Sequence, residues 1–439
     1  MLPRSSDTIF APASGQGRSA VCIIRISGDK TRFVLETILR KVPEPRRASL
    51  RLITEPGSGE VLDQGLVIWM PGPDSFTGED QAELQIHGGL AVRQAVLRCL
   101  AVAPGCRPAE PGEFTRRAFL NGRMDLTAVE GLADLIDAET EAQRRQALRQ
   151  LEGGIGVVVE SWREDLLDAL SFMEAALDFS DEGDVSSGLL ERQALELVNI
   201  VLADVSKRLE SRAGERLREG MTVVLAGAPN AGKSTLLNAL MQRDIAIVSP
   251  IAGTTRDIIE TRLDLGGFPV ILIDTAGLRD SSDPVEQEGI SRAKKHAASA
   301  DIVLWLVAPG DTTDEPPEGS RIIRVATKAD TGNDWQEADI AISATTGDGL
   351  SQLLERLEQE AEGAMASGDV LITRERHRTA MEAIATALLG AQHILQNDGL
   401  PELATEEIRL AMRACGSIAG RVDVEDVLDR LFSSFCIGK

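Results

Sequence analysis

The apolar positions change period along the chain. Up to about residue 123, short β-branched runs alternate with helical stretches. Ser19-Ala-Val-Cys-Ile-Ile-Arg-Ile26, Gly65-Leu-Val-Ile-Trp-Met70 and Ala82-Glu-Leu-Gln-Ile86 read as strands, and Arg32–Leu39 and Leu90–Ala101 as helices. The pattern predicts an α+β domain. Its loops Pro71-Gly-Pro73, Ser75-Phe-Thr-Gly-Glu79 and Pro111-Gly-Glu-Phe-Thr115 are the kind that carry binding residues. From about Asp125 the period becomes helical. Trp162, Leu166, Leu170, Met173 and Leu177 form one stripe, and Leu190, Ala194, Val198, Val201, Val205 and Leu209 another. Asp178–Asp184, acidic and glycine-containing, lies between them; it lacks Ca²⁺-loop spacing and reads as a solvated turn. Residues 221–362 return to strand and helix alternation. The helical period then resumes with Met381, Ile384, Leu388, Ala391 and Leu395, and with Val424, Val427, Leu428 and Leu431. The expected domains are 1–123, 124–220, 221–362 and 363–439, the third inserted into one helical bundle made by the second and fourth.

Composition narrows the classes. At 439 residues and 43% hydrophobic content, the chain has room for about three globular domains. No apolar run reaches the ~18 residues of a membrane span. Met1–Asp7 has no apolar core, so no secretory leader and a cytoplasmic location are expected. The five cysteines (Cys22, Cys99, Cys106, Cys415 and Cys436) are scattered, which predicts reduced thiols rather than disulfides or a zinc site. A net charge of −23 argues against a broad nucleic-acid surface. Arg116-Arg117, Arg123 and Arg144-Arg145 are candidates for a local basic groove, with a solvated helix face as the blander reading of each. Aromatics make up only 3% of residues and Tyr is absent, which disfavours base-stacking platforms.

The sharpest chemistry begins at Gly227-Ala-Pro-Asn-Ala-Gly-Lys-Ser234. It fits the phosphate-cradling P-loop, between a strand-like Met221–Ala226 and a helix-like Thr235–Leu240. Lys233 is expected to reach the β- and γ-phosphates, and Ser234 to offer its hydroxyl to Mg²⁺. Asn230, Ala231, Gly232 and Thr235 complete the cradle. Val270-Ile-Leu-Ile-Asp274 is an apolar strand ending in a carboxylate for the Mg²⁺ shell, followed by Thr275, Ala276 and Gly277. Thr255, in Gly253-Thr-Thr-Arg-Asp257, is the natural switch hydroxyl. After the strand Ile322–Ala326 come Thr327, Lys328, Ala329 and Asp330. The Asp330 carboxylate can accept from guanine N1–H and its amine, which adenine does not offer. Ser343, Ala344 and Thr345 add a base-edge loop. In this order the motifs identify a GTP site. Thr327 replaces the commoner Asn, and its hydroxyl can still bridge to the P-loop. Leu278 stands where many GTPases place a water-orienting Gln, so another group must do that work. Arg256 and Arg279 are near in sequence, and a monovalent cation held by Asn230 is a further candidate for neutralising transition-state charge.

Beyond these motifs the chain resembles the MnmE (TrmE) family of tRNA-modification GTPases, within the TrmE-Era-EngA-like GTPases. The specific pieces are Gly17–Gly28, Ser75–Asp80, Glu83–Gly89, Pro111–Gly122 and the tail Phe435-Cys-Ile-Gly-Lys439. The resemblance implies a multidomain α/β + α fold: an α+β tetrahydrofolate-binding and dimerising N-terminal domain, a helical bundle and an inserted Ras-like GTPase domain with a mixed, mostly parallel sheet. It implies a homodimer working with the flavoprotein MnmG as a heterotetramer. Together they place an aminomethyl-type group on C5 of the wobble uridine of certain tRNAs. The one-carbon unit would come from 5-formyl- or 5,10-methylene-tetrahydrofolate, and hydrolysis of GTP would be K⁺-activated and coupled to G-domain dimerisation. Carried over by position, the K⁺ ligands are Asn230, Ser249, Ile251 and Thr254, and Mg²⁺ sits with Ser234 and Thr255. Glu286 orients water, and Arg25, Glu83, Arg123 and Lys439 contact folate; Arg123 stands where a Lys is frequent. Cys436 reads either as a participant in the modification or as a packing thiol, and His87 as a structural residue rather than a folate contact. The competing class is a GTP-gated assembly factor for ribosomes, with similar GTPase motifs and no folate.

Overall fold

The computed structural model describes residues 7–15, 17–178, 187–228, 230–243, 245–247, 259–274, 300–310, 321–332, 338–366, 370–397, 399–422, 425–435 and 437–438. The chain forms two compact units, Met1–Ala133 with Gly416–Lys439, and Asp134–Cys415.

The first unit is built on a six-stranded sheet. Its strands are β1 (Thr8–Pro12), β2 (Ser19–Ser27), β3 (Ser49–Thr54), β4 (Val61–Met70), β5 (Gln81–Gly88) and β6 (Cys106–Pro108). The order is β3-β4-β5-β2-β1-β6, antiparallel except for the parallel β1–β6 pair. Three helices follow or interrupt it: α1 (Thr31–Ile38), α2 (Leu90–Ala101) and α3 (Glu113–Leu120). Strand alternation decides the faces. Ile24, Ile26, Leu84 and Ile86 pack with Val34, Leu35 and Ile38 of α1 and with Val96 and Leu100 of α2. Arg25 and Glu83, one residue out of phase, share the opposite face as direct cross-strand partners. Near β1 that face is covered by Phe114 of α3, packed with Ile9, Ala11, Ala109 and Phe76. The stretch Pro111–Thr115, which reads as a loop, is instead the entry to α3. Gly112 holds φ +67 as its N-cap, and a Cβ there would stand 2.7 Å from the Phe432 carbonyl oxygen. Helix α4 (Leu126–Asp137) starts in this unit.

The second unit carries α5 (Glu141–Leu151), α6 (Gly154–Asp178), α7 (Ser187–Leu209) and α8 (Ala213–Glu219). A second sheet follows: β7 (Met221–Gly227), β8 (Ile259–Leu265), β9 (Phe268–Asp274), β10 (Ile302–Val307), β11 (Arg321–Ala326) and β12 (Ile340–Ala341). Its order is β12-β11-β10-β7-β9-β8, parallel throughout except for the β8–β9 hairpin. This is the mixed, mostly parallel sheet expected of a Ras-like domain. Helices α9 (Lys233–Met241) and α10 (Leu350–Met365) bury Leu236, Leu237, Leu240, Leu353 and Leu357 against it.

Helix α11 (Glu375–Gln396), after the sheet domain, packs on α7, which precedes it, so that domain is an insertion into a helical bundle. Gln146 marks the crossing point. Its side-chain amide donates to the carbonyls of both Gly214 (3.0 Å) and Val370 (3.1 Å), and Gln150 donates to Leu371. A buried ion pair fastens the same junction: Arg378 meets both Glu215 oxygens and donates to the Leu209 and Ser211 carbonyls. Helix α12 (Pro401–Ala419) leads back to the first unit, where α13 (Glu425–Ser434) packs Leu428, Leu431 and Phe432 against Leu126 and Val129.

The acidic segment Asp178–Asp184 falls outside the described residues beyond its first position, as does Val424.

Candidate functional site

The phosphate loop runs from the end of β7 into α9. Gly227 holds φ +140, and a Cβ there would lie 2.2 Å from the Leu306 carbonyl oxygen; this is a place only glycine fits. Asn230 takes the left-handed conformation at φ 67, and Gly232, at φ +93, is the N-cap of α9. The loop thus turns backbone N–H groups and a helix N-terminus toward one point. Lys233 is buried, and its ammonium donates to the Gly227 and Ala228 carbonyls at 2.8 and 2.9 Å. Ser234 Oγ donates to Asp274 Oδ2 at 3.0 Å. A hydroxyl and a buried carboxylate side by side are hard oxygen donors of the kind Mg²⁺ takes alongside phosphate oxygens, so the pair fits that ion. Thr327 Oγ, buried, donates to the Ala231 carbonyl at 2.8 Å. The bridge from the base-recognition loop to the P-loop is therefore present despite the missing Asn.

The base-edge loops meet beside it. Ala329 N–H donates to Ile342 O, joining the Thr327–Asp330 turn to the segment after β12. Lys328 holds φ 56, and Asp330 is exposed. Ser343 N–H donates to Asp348 O, and Ser343 Oγ accepts from Thr346 N–H, which fixes the Ser343–Thr345 loop. All these groups gather at the carboxyl ends of β7, β9, β11 and β12, where open α/β sheets place ligands. Ser249, Ile251, Thr254, Thr255, Thr275, Ala276, Gly277 and Glu286 lie outside the described residues, as do Arg256, Leu278 and Arg279. Asn230 is described and exposed.

A second constellation lies in the first unit. Arg25 Nε donates to Glu83 Oε1 at 3.0 Å, and the guanidinium sits 5.8 Å from the Phe76 ring centroid. The Arg123 stem runs along the same loop: a Cβ on Gly78 would stand 3.3 Å from Arg123 Cγ. That loop is held by a polar network. Ser27 Oγ reaches Thr77 Oγ1 and Glu79 Oε2, and Arg117 bridges Glu79 and Glu113. Arg107 adds a two-pronged contact to Glu113. Burial alone would raise the Glu113 carboxyl; hydrogen bonds from Arg107, the Glu110 N–H and Arg117 outweigh it and hold the group below the usual carboxylate range.

The chain's tail enters this unit. Ile437 bridges Pro111, and Gly438, at φ +100, lies where a Cβ would stand 2.0 Å from Pro12 O. Pro12 and Ala11 are the cross-strand partners of Ile24 and Arg25, so the tail docks one strand from Arg25. Cys436 and Lys439 themselves fall outside the described residues.

One sequence expectation changes here, and two keep their blander reading. Arg117 is no surface cation: it is buried between two carboxylates. Arg144 and Arg145 both pair with Glu141 in an exposed cluster, the solvated-face reading rather than a groove. His87 is satisfied, as expected, but at the surface: Nδ1 sits 2.8 Å from Asp63 Oδ1 with the side chain 72% exposed. Nothing in the hydrophobic pattern singles out Phe76, Gly78 or Pro12 as neighbours of the candidate residues. Only the glycine-rich context of Ser75–Asp80 hints at the first two.

A P-loop with its hydroxyl–carboxylate pair, and two base-edge loops at the carboxyl ends of a mixed sheet, define a P-loop GTPase. The whole chain adds more. A family model described as "GTP-binding protein TrmE N-terminus" matches residues 8–123, and one described as "MnmE helical domain" matches residues 126–436. The "tRNA modification GTPase MnmE" of Methylobacterium sp. (strain 4-46) is 58% identical, covering 99% of this chain and 100% of that one. Those of Methylobacterium radiotolerans and Azorhizobium caulinodans are 55% and 49% identical over 99% and 100% of this chain, and 99% and 100% of theirs. The chain belongs to the MnmE family of tRNA modification GTPases, and it is a GTP hydrolase. Among solved structures, the G domain of the T. maritima FeoB iron transporter is similar at 26% identity over 32% of this chain and 98% of that one, with a TM-score of 0.24.

Proposed function

We propose that this chain couples K⁺-activated GTP hydrolysis to aminomethyl-type modification of the wobble uridine of tRNA, as a homodimer working with the flavoprotein MnmG in the cytoplasm. The observation that carries the folate half is the Arg25–Glu83 pair, set across two strands beside Phe76 and Arg123 with the tail docked one strand away. A carboxylate on an otherwise half-buried face suits the amino-pyrimidinone edge of a pterin, where the N3–H and the 2-amino group stand side by side as donors. Arg25 holds Glu83 in place through its Nε–H alone and leaves the two terminal nitrogens of its guanidinium for an anion. Arg123 and Lys439 supply further cations for the glutamyl carboxylates. Tetrahydrofolate would bring the one-carbon unit, and we assign Cys436 a part in the modification reaction.

At the GTP site, Lys233 exchanges the Gly227 and Ala228 carbonyls for phosphate oxygens. Ser234, Asp274 and Thr255 would hold Mg²⁺, which would neutralise charge on the β- and γ-phosphates. Asp330 selects guanine. Asn230, Ser249, Ile251 and Thr254 would hold K⁺, and Glu286 would orient the attacking water where Leu278 does not. The domain limits in this reading are 1–123, 124–220, 221–362 and 363–439.

Calorimetry with 5-formyl-tetrahydrofolate tests the folate half. Wild type should bind, and Arg25→Ala should weaken binding at least tenfold while GTP hydrolysis in K⁺ is unchanged. No folate binding by wild type would overturn this reading in favour of an assembly GTPase.

A further inference from the structure

The net negative charge of this chain is confined to one unit. Residues 1–133 and 416–439 carry 19 Lys or Arg against 19 Asp or Glu, whereas residues 134–415 carry 27 against 50. The net −23 therefore belongs entirely to the second unit, and the first is neutral. Within the first unit the charge is again uneven. Residues 32–51 hold Arg32, Arg40, Lys41, Arg46, Arg47 and Arg51 against Glu36 and Glu44 only.

The fold gathers these cations on one edge. β3 is the last strand of its sheet. Leu39 bridges Ile53 in antiparallel sense, which sets Lys41 opposite Arg51, and Arg51 Nε donates to the Lys41 carbonyl at 3.1 Å. Arg46 N–H donates to Trp69 O, and the Arg32 guanidinium lies 5.6 Å from the Trp69 ring centroid, at the other end of the same edge. At a rise of ~3.3 Å per residue the strip from Arg47 to Arg51 is about 13 Å long. Its charge is scarcely neutralised. Arg46 bonds to the carbonyls of Pro71 and Asp74, and Arg51 to those of Lys41 and Leu50; neither contact removes a positive charge. Arg40 and Lys41 are exposed, and the Arg47–Glu44 and Arg32–Glu36 pairs are exposed enough to be screened.

We propose that this β3–α1 edge binds the phosphate backbone of the RNA substrate. Five of its six cations are arginines, whose planar forks match phosphate oxygens. The second unit is strongly acidic and repels polyanions, whereas the first is neutral overall and does not. The inference rests on the tRNA-modifying reading and locates its macromolecular substrate on the chain.

The test uses the full-length protein and an unmodified tRNA transcript, with affinity followed by fluorescence anisotropy from 50 to 200 mM KCl. The variant Arg40→Gln/Lys41→Gln/Arg47→Gln should bind about ten- to a hundredfold more weakly near 0.1 M salt, with a log–log salt slope shallower by about two to three. Its GTP hydrolysis should match wild type. Arg144→Gln/Arg145→Gln/Arg163→Gln, on the second unit, should keep wild-type tRNA affinity. Unchanged affinity and slope in the edge variant overturn the proposal, and so does an equal loss in the second-unit variant. Lost affinity for the flavoprotein partner with tRNA binding intact would overturn it in favour of a protein interface. If wild type binds no tRNA at all, the tRNA-modifying reading itself fails.

Discussion

The GTP site and the Arg25–Glu83 site are built on different principles. The first is made by backbone. Gly227, Asn230 and Gly232 bend one contiguous segment between β7 and α9, and side chains are added to it. The second is made by side chains from distant segments. Arg25 and Glu83 are 58 residues apart, Arg117 and Glu79 are 38 apart, and the tail arrives from the far end of the chain. A backbone site tolerates drift in its surroundings but no change in its glycines. A side-chain site tolerates a change in any one loop but depends on the sheet register that aligns its partners.

The largest effect should come from the backbone site. Gly227→Ala places a methyl 2.2 Å from the Leu306 carbonyl at φ +140, so the loop must move. GTP affinity should fall more than a hundredfold, roughly 3 kcal/mol or more, measured with a fluorescent GTP analogue. Folate binding in the same protein should be unchanged. Retained GTP affinity would show that the loop is more pliable than its contacts imply, and would erase the contrast between the sites.

Next is the ion network under the side-chain site. Glu113 is buried between Arg107 and Arg117, so Glu113→Ala leaves two cations without their shared partner. A loss of about 3–5 kcal/mol in the stability of the first unit follows. The pH dependence has a definite sign. Because the Glu113 carboxyl is held below its ordinary value, its contribution is present in full above that value and is lost as pH falls through the lowered one. Denaturation of wild type and Glu113→Gln should therefore converge in acid and diverge toward neutrality. A constant difference between the two curves at every pH would remove Glu113 from this role.

How much of each site was legible follows from the same contrast. The P-loop, Asp274 and Thr327–Asp330 were readable because each motif is contiguous and follows an apolar strand. The network around Glu113 was not, since no spacing rule links residues 79, 107, 113 and 117. Pro111-Gly-Glu-Phe-Thr115 looks like a loop by its Pro and Gly, yet Gly112 serves as the N-cap of α3. Strand β10 escapes notice for another reason: Ile302-Val-Leu-Trp-Leu-Val307 is apolar throughout, and periodicity does not separate a buried strand from a buried helix. The edge strand β3 exposes Leu50 and Leu52, Leu50 at 57%, and buries only Ile53 and Thr54 at its end, so its apolar pattern does not mark it. The bundle stripes were legible because helix packing needs only the local 3.6-residue repeat.

The smallest effect separates the two principles within one site. Thr327 is a side chain serving a backbone loop: its hydroxyl donates to Ala231 O, and a second carbonyl, that of Val307, lies at 3.3 Å. Thr327→Val keeps the shape and removes the donor, leaving the buried Ala231 carbonyl without that bond. The penalty for one such unmet acceptor is about 1–3 kcal/mol, and relaxation of the exposed loop tip should place it near the lower end, around tenfold in GTP affinity. Thr327→Asn supplies an amide donor of longer reach and should return most of the loss. If Val binds GTP as tightly as Thr, the glycine-built backbone alone fixes the cradle. If Val approaches the Gly227→Ala loss, side chains dominate even here, and the division between the two sites dissolves.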